Sequence, residues 1–323
     1  MFSHQGKLYY CTKRFFVNMR NDAKKNALRA FFNDTLKGIG IGAAFIIPGF
    51  SGGSVAAVLG IYEKLVGAIA DIFKNFKSSV KTLLPIAIGM VFGILALIFP
   101  LKWALSQFPF PTVSLFVGLA IGGLPSITTK TRGEFKISSF IACFIPLLFA
   151  LCLSFLPSAS DVNLFELDIL GYFLLFIIGI IGSTALVIPG ISGSMILLIL
   201  GYYNPILKLA TEHLLMGRDV ATSILVLSCV ALGIAVGFFF ISVIMKILLI
   251  KYPRGTHFAI LGFIIGSVPT IYISTAKDAS ITLDTLPKSP IYWVASILML
   301  AGGVLLSYLL VKYSAKLKSQ KQI

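Results

Sequence analysis

The chain has 323 residues, of which 57% are hydrophobic and 12% charged, with a mean hydropathy of +0.96 and a net charge of +15. A soluble domain carries about 25% charged residues, so this composition excludes an ordinary water-soluble enzyme and points to a chain embedded in lipid. The basic balance does not call for nucleic acid; loops against anionic lipid headgroups account for it.

In chain order, residues 1–27 form a basic tail with no apolar stretch of the kind a cleavable signal peptide needs. Residues 24–37 (KKNALRAFFNDTLK) place Leu28, Phe31, Phe32 and Leu36 at helical spacing, which predicts an amphipathic helix lying on the membrane surface. Residues 38–60 are an apolar run broken in the middle by Pro48-Gly49-Phe50-Ser51-Gly52-Gly53-Ser54. Apolar spans follow at 83–103, 113–128 and 137–157. A second broken run, 179–201, contains Pro189-Gly190-Ile191-Ser192-Gly193-Ser194. Three more spans lie at 220–245, 258–273 and 291–311, before a basic tail at 314–323. Most are long enough to cross a hydrocarbon layer of about 30 Å as helices. The spans 113–128 and 258–273 are short for that and leave the topology there open.

The two broken runs are copies of each other. Over 38–64 and 179–205, at a constant offset of 141, 11 of 27 positions are identical. The glycine pairs continue the repeat: Gly89 and Gly93 match Gly233 and Gly237, and Gly118 and Gly122 match Gly262 and Gly266, both at an offset of 144. Such Gly-x-x-x-Gly pairs let helices approach closely in lipid. The chain therefore divides into repeats at 28–157 and 165–313.

Charge sets the expected orientation. If 1–37, 61–82, 128–136, 246–257 and 312–323 face the cytoplasm, they hold 22 of the 27 Lys and Arg, and the net charge is +17 inside and −2 outside. That is the bias the positive-inside rule requires. Both ends of 38–60 then lie inside and both ends of 179–201 outside. Each run reads as a re-entrant hairpin, and three spans per repeat force the second repeat to be inverted. The expected architecture is an all-α polytopic membrane protein of two inverted repeats, each one hairpin plus three transmembrane helices.

Backbone that leaves helical geometry inside a membrane must have its polar groups satisfied by protein, water or ligand. At the first tip Pro48 stops the entering helix, Gly49, Gly52 and Gly53 permit a tight turn, and Ser51 or Ser54 is placed to cap the returning helix. The second tip repeats this with Pro189, Gly190, Ser192, Gly193 and Ser194. Free N–H groups and hydroxyls at a helix start suit an anion, and two facing tips suit an alternating-access carrier. Beside the first hairpin, Glu63 and Lys64 have Asn204 and Pro205 as counterparts, so charge stands on one side only. Glu63 reads either as a site for a coupling ion, proton or sodium, or as a helix end in the headgroup layer. Lys130 and Arg132, in KTRGEFK, read either as headgroup contacts or as a plain basic inside loop.

Enzyme chemistry finds no motif. Cys11, Cys143, Cys152 and Cys229 lack metal spacing, and His4, His213 and His257 are far apart in sequence. No metalloprotease, nucleophile-elbow or phosphate-loop motif occurs. The expectation is no enzyme, no metal and no cofactor.

The signatures IPGFSGGSVAAVLGIYEKL (47–65) and IPGISGSMILLILGYY (188–203) resemble the polyprenyl-phosphate transporter family of bacteria and archaea, over roughly residues 30–312. Ser54 stands where that pattern carries a Thr and keeps the hydroxyl. The resemblance implies a translocase that returns undecaprenyl phosphate from the outer to the inner leaflet of the bacterial cytoplasmic membrane, for recycling of the cell-wall lipid carrier. It puts weight on Pro48, Gly49, Ser51, Gly52, Gly53 and Glu63, and on Pro189, Gly190, Ser192, Gly193 and Ser194. Both termini are expected in the cytoplasm. Two alternatives stay open: a transporter of a small soluble anion, and a membrane enzyme acting on a lipid phosphate.

Overall fold

The computed structural model describes residues 25, 27–47, 51–131, 137–157, 159–210, 217, 219–281 and 286–319, and among these the regular elements are all helices. Helix α1 covers 27–44. It is followed by α2 (Gly52–Val58), α3 (Tyr62–Ala70), α4 (Phe76–Gln107), α5 (Pro109–Thr128) and α6 (Ile137–Phe155). The second part holds α7 (Ile169–Val187), α8 (Gly193–Ile199), α9 (Tyr203–Lys208), α10 (Val220–Lys251), α11 (Pro253–Asp278) and α12 (Pro290–Ser319).

Seven of these, α4, α5, α6, α7, α10, α11 and α12, are long and apolar enough to cross a membrane. The chain is a multi-pass membrane protein. Five of the six expected spans lie within α4, α5, α10, α11 and α12, and the sixth, 137–157, ends two residues past α6. The seventh long helix, α7, is the entering arm of the second hairpin, so that hairpin starts well before residue 179. Two expectations need correction. The spans 113–128 and 258–273 are not short: α5 has 20 residues and α11 has 26. Pro109 and Pro253 look like breaks in the sequence but sit at the first helical turn, where proline costs no hydrogen bond. Nor is 24–37 a separate surface helix. Its residues 27–37 are the first part of α1 itself, the lower part of the first hairpin's entering arm, with Leu28, Phe32 and Leu36 exposed.

The glycine pairs mark where the backbones touch. A Cβ on Gly38 would stand 3.0 Å from the Cα of Gly89, and one on Gly179 would stand 3.0 Å from the Cα of Gly233. Thus α1 meets α4 as α7 meets α10, through residues at the same two offsets, 141 and 144. The second set behaves alike. Gly118 and Gly122 of α5 face the carbonyls of Leu300 and Val304 on α12, and Gly262 and Gly266 of α11 face those of Cys143 and Leu147 on α6. Each inner helix therefore packs on the last helix of the other repeat. Helices α5 and α11 form the inner layer, while α4, α6, α10 and α12 turn most of their apolar side chains outward.

Both broken runs come back on themselves. Past the return arm α2 the chain turns by 119° into α3. Leu59 and Val55 of the return arm pack on α1 beside Gly40, and Lys64 is paired with Asp34 of α1. In the second run, the amides of Ala159 and Val162, in the loop before α7, donate to the carbonyls of Ile199 (3.0 Å) and Gly201 (3.1 Å) at the end of α8. The start of each hairpin and its end thus lie together.

Each return arm ends in the same cap. Gly60 has φ +67° and Gly201 φ +78°, and the amides of Ile61 and Tyr202 donate back to Ala56 and Leu197 (2.9 Å each). This is the Schellman ending, which wants glycine in the left-handed position. The two sites differ in their surroundings. A Cβ at Gly60 meets nothing within 4 Å, whereas one at Gly201 runs into the carbonyl of Ser160. Gly60→Ala should cost about 1–2 kcal/mol of backbone strain. Gly201→Ala should cost more and loosen the loop before α7, which hydrogen exchange of the Ala159 and Val162 amides would report.

Candidate functional site

Ser51 and Ser192 occupy the first position before α2 and α8, with extended backbone (φ −101° and −93°). Neither caps its helix through its side chain, which corrects the expected capping role of Ser51. The hydroxyl of Ser51 instead points across to the other hairpin and donates to the carbonyl of Ala185 at 3.4 Å. The hydroxyls of Ser192 and Ser194 bond each other at 2.9 Å. The Ser54 hydroxyl does not cap either; it is buried without a hydrogen-bond partner among the described residues. Among the described residues no side chain takes up the first-turn amides of either return arm, and a helix start leaves those amides without intrahelical acceptors.

The two tips touch. A Cβ on Gly53 would lie 3.2 Å from the Val187 carbonyl and 3.4 Å from the Cα of Pro189. Gly190 holds φ +87° with its Cα against the Phe263 carbonyl of α11, so the second turn has room only for glycine. Pro48 and Gly49 lie outside the described residues.

Beside the tips lies a cavity of about 440 Å³. Ser51 and Gly52 from the first hairpin and Ser192, Gly193 and Ser194 from the second line it, together with apolar side chains of the turn after α1 (Phe45, Ile46, Ile47) and of α7 and α10. Among the described residues one cation lines it, Lys277 from the last turn of α11, whose Nζ donates to the Ser154 carbonyl at 2.9 Å. Lys277 was missed in the sequence because it lies some 80 residues from the nearer tip and carries no local motif. The cavity is flanked by Leu156, Tyr203 and Asn204, at the end of the molecule where the loop before α7 lies.

Glu63 is elsewhere. It lines a separate pocket of about 340 Å³ with Lys37, Tyr62, Pro125, Ser126 and His257. His257 Nε2 stands 2.9 Å from Glu63 Oε1. The histidine is the fifth residue of α11, at the opposite end from Lys277, so one helix supplies a polar group to each pocket. Lys64 is held by Asp34 and does not reach the tips. The side chain of Lys130 and all of Arg132 lie outside the described residues. The candidate residues therefore fall into two places, a tip cavity and a pocket at the other end, rather than one. Among the described residues no cluster has the make-up of a metal site.

A profile of proteins described as undecaprenyl phosphate translocase-like matches residues 41–285, which include both hairpin tips. The chain is 29% identical over 289 residues to a polyprenyl-phosphate transporter of Staphylococcus aureus, covering 87% of this chain and 96% of that one. It is 25% identical over 321 residues to a polyprenyl-phosphate transporter of Vibrio cholerae serotype O1, covering 88% and 98%. No solved structure matches it.

Proposed function

The chain belongs to the undecaprenyl phosphate translocase-like family, and from that premise we propose that it moves undecaprenyl phosphate, or a related polyprenyl phosphate, from the outer to the inner leaflet of the bacterial cytoplasmic membrane. The observation that carries this reading is the cavity beside two touching hairpin tips, with serine hydroxyls, uncapped amides and one lysine on its wall. A phosphate monoester is an acceptor with two or three oxygens, and the wall offers donors. Ser54, buried and unpartnered, is a further donor at the tip. The return arms have seven residues each, so the donors are individual N–H and O–H groups rather than the dipole of a long helix.

In this reading the two repeats, 28–157 and 165–313, are inverted in the membrane. The contacts repeated at fixed offsets and the excess of Lys and Arg on one set of loops support it. Both termini and the Glu63 pocket then face the cytoplasm, and the tip cavity opens outward. The phosphate enters beside Lys277 and crosses at the tips while the prenyl tail stays in lipid. No bond of the substrate is broken, and no ATP is used.

The test is leaflet exchange in proteoliposomes. Protein-containing vesicles should move labelled polyprenyl phosphate between leaflets and leave polyprenol behind. Hydrogen bonds to a charged group contribute about 1.5–3 kcal/mol. Lys277→Gln should therefore raise the half-saturating concentration about tenfold or more, with Lys277→Arg close to the original. Exchange no faster than in empty vesicles, or equal exchange of polyprenol, would refute the reading.

A further inference from the structure

The pocket at the other end of α11 contains a contact that cannot exist without an extra proton. His257 is buried, at 7% exposure. Its Nδ1 lies 2.6 Å from the Pro253 carbonyl oxygen, which only accepts, so Nδ1 carries a hydrogen. Its Nε2 lies 2.9 Å from Glu63 Oε1. A hydrogen must stand between those two atoms as well. Either the imidazole is doubly protonated beside a carboxylate, or a neutral carboxyl donates to a neutral imidazole. Both arrangements hold one proton more than a neutral imidazole with a carboxylate. Without it, a nitrogen lone pair would face a carboxylate oxygen, and the contact would repel.

We propose that His257 and Glu63 together form a proton-binding site of this carrier, loaded when the two touch. Glu63 sits in the first turn of α3, where the first hairpin leaves its return arm, and His257 belongs to the second repeat. The proton therefore ties the end of one hairpin to the helix that carries Lys277 at its far end. Unloading passes the proton from the pair to water in the pocket, leaving a neutral imidazole and a carboxylate, and frees α3 from α11.

The other charged groups around the pair are assigned. Lys37 of α1 lines the same pocket, as does the phenol of Tyr62, which is buried without a hydrogen-bond partner among the described residues. Lys64 of α3 is paired with Asp34 of α1. Arg254, on the same turn of α11, stacks over Phe258. From α10, Lys246 holds both oxygens of Asp71 beyond the end of α3, at 2.6 Å each. Val311 is the α12 residue on the pocket wall. The inference rests on the carrier reading for the word carrier, but the proton site stands or falls by itself.

Two measurements on the full chain in lipid decide it. Nitrogen NMR of histidine-labelled protein at pH 7, with His4→Gln and His213→Gln to leave one histidine, should find Nε2 of His257 carrying or sharing a proton. In Glu63→Gln it should become a bare nitrogen. A bare Nε2 in the unaltered pair would overturn the proposal. In proteoliposomes, an imposed pH gradient should change net transport of polyprenyl phosphate several-fold. Glu63→Gln and His257→Gln should both lose that response yet still be stabilised thermally by the lipid phosphate. Transport indifferent to the gradient, or variants that respond as the original does, would remove the coupling. If no polyprenyl phosphate moves at all while the NMR result holds, the carrier reading fails and the proton site remains.

Discussion

Alanine at both Ser51 and Ser192 is expected to weaken binding of polyprenyl phosphate by about a hundredfold or more. Both hydroxyls are buried, at 3% and 4% exposure, and line the cavity from opposite hairpins. Neither is tied to its own helix as a cap, and the Ser51 bond to Ala185 is long at 3.4 Å. Ser51 has little to give up on turning to a ligand, and Ser192 exchanges its 2.9 Å bond to the Ser194 hydroxyl. Each bond to a charged phosphate is worth about 1.5–3 kcal/mol, and two losses at the lower value already exceed two decades in affinity. Alanine removes the oxygens without adding bulk, so the fold should persist, and the melting temperature without ligand should stay near that of the original protein. Titration of the pair of variants with the lipid phosphate checks the figure. Unchanged affinity would move the phosphate away from the tips.

Leucine at Gly118 or Gly262 is expected to prevent the protein from folding to a single species. A Cβ on Gly118 would overlap the carbonyl of Leu300, and one on Gly262 the carbonyl of Cys143. Backbone cannot step aside as a side-chain end can, so α5 would have to separate from α12, or α11 from α6. Even overpacking that a core can absorb costs about 1–3 kcal/mol, and here the whole helix pair must open. Gly255→Leu and Gly302→Leu are the controls, because a Cβ at either meets nothing within 4 Å. Size-exclusion profiles of the four variants in detergent would separate the cases. Monodisperse Gly118→Leu and Gly262→Leu proteins would contradict the packing.

Much of this was legible in the chain because the repeat writes it twice. The break at Ser51 and Ser192, the matched glycines and the six spans are all local signals, set by turn chemistry and hydrophobic length. What the sequence hid is which helix meets which. Gly118 and Gly262 announce close approach but not the partner, and the partners turn out to lie in the other repeat. Lys277 and His257 were invisible for the same reason: they stand at the two ends of α11, distant in sequence from the hairpins they lie beside. Glu63 and the serines, grouped in reading by their nearness in sequence, fall into different pockets because the return arm carries Glu63 away from the tip. Helices α5 and α11 run longer than their charge-free apolar stretches because Pro109 and Pro253 sit at the first helical turn, where proline starts a helix.

The most direct test of the phosphate site is thermal stabilisation of the purified protein by undecaprenyl phosphate, undecaprenol and inorganic phosphate in parallel. A ligand that binds only the folded protein raises its stability by about 2.7 kcal/mol at one hundred times its dissociation constant. Stabilisation by the lipid phosphate, absent with undecaprenol and weak with inorganic phosphate, and lost when Ser51 and Ser192 are alanine, is the predicted result. Stabilisation by inorganic phosphate as strong as by the lipid phosphate would contradict the account and point to a carrier of small soluble anions.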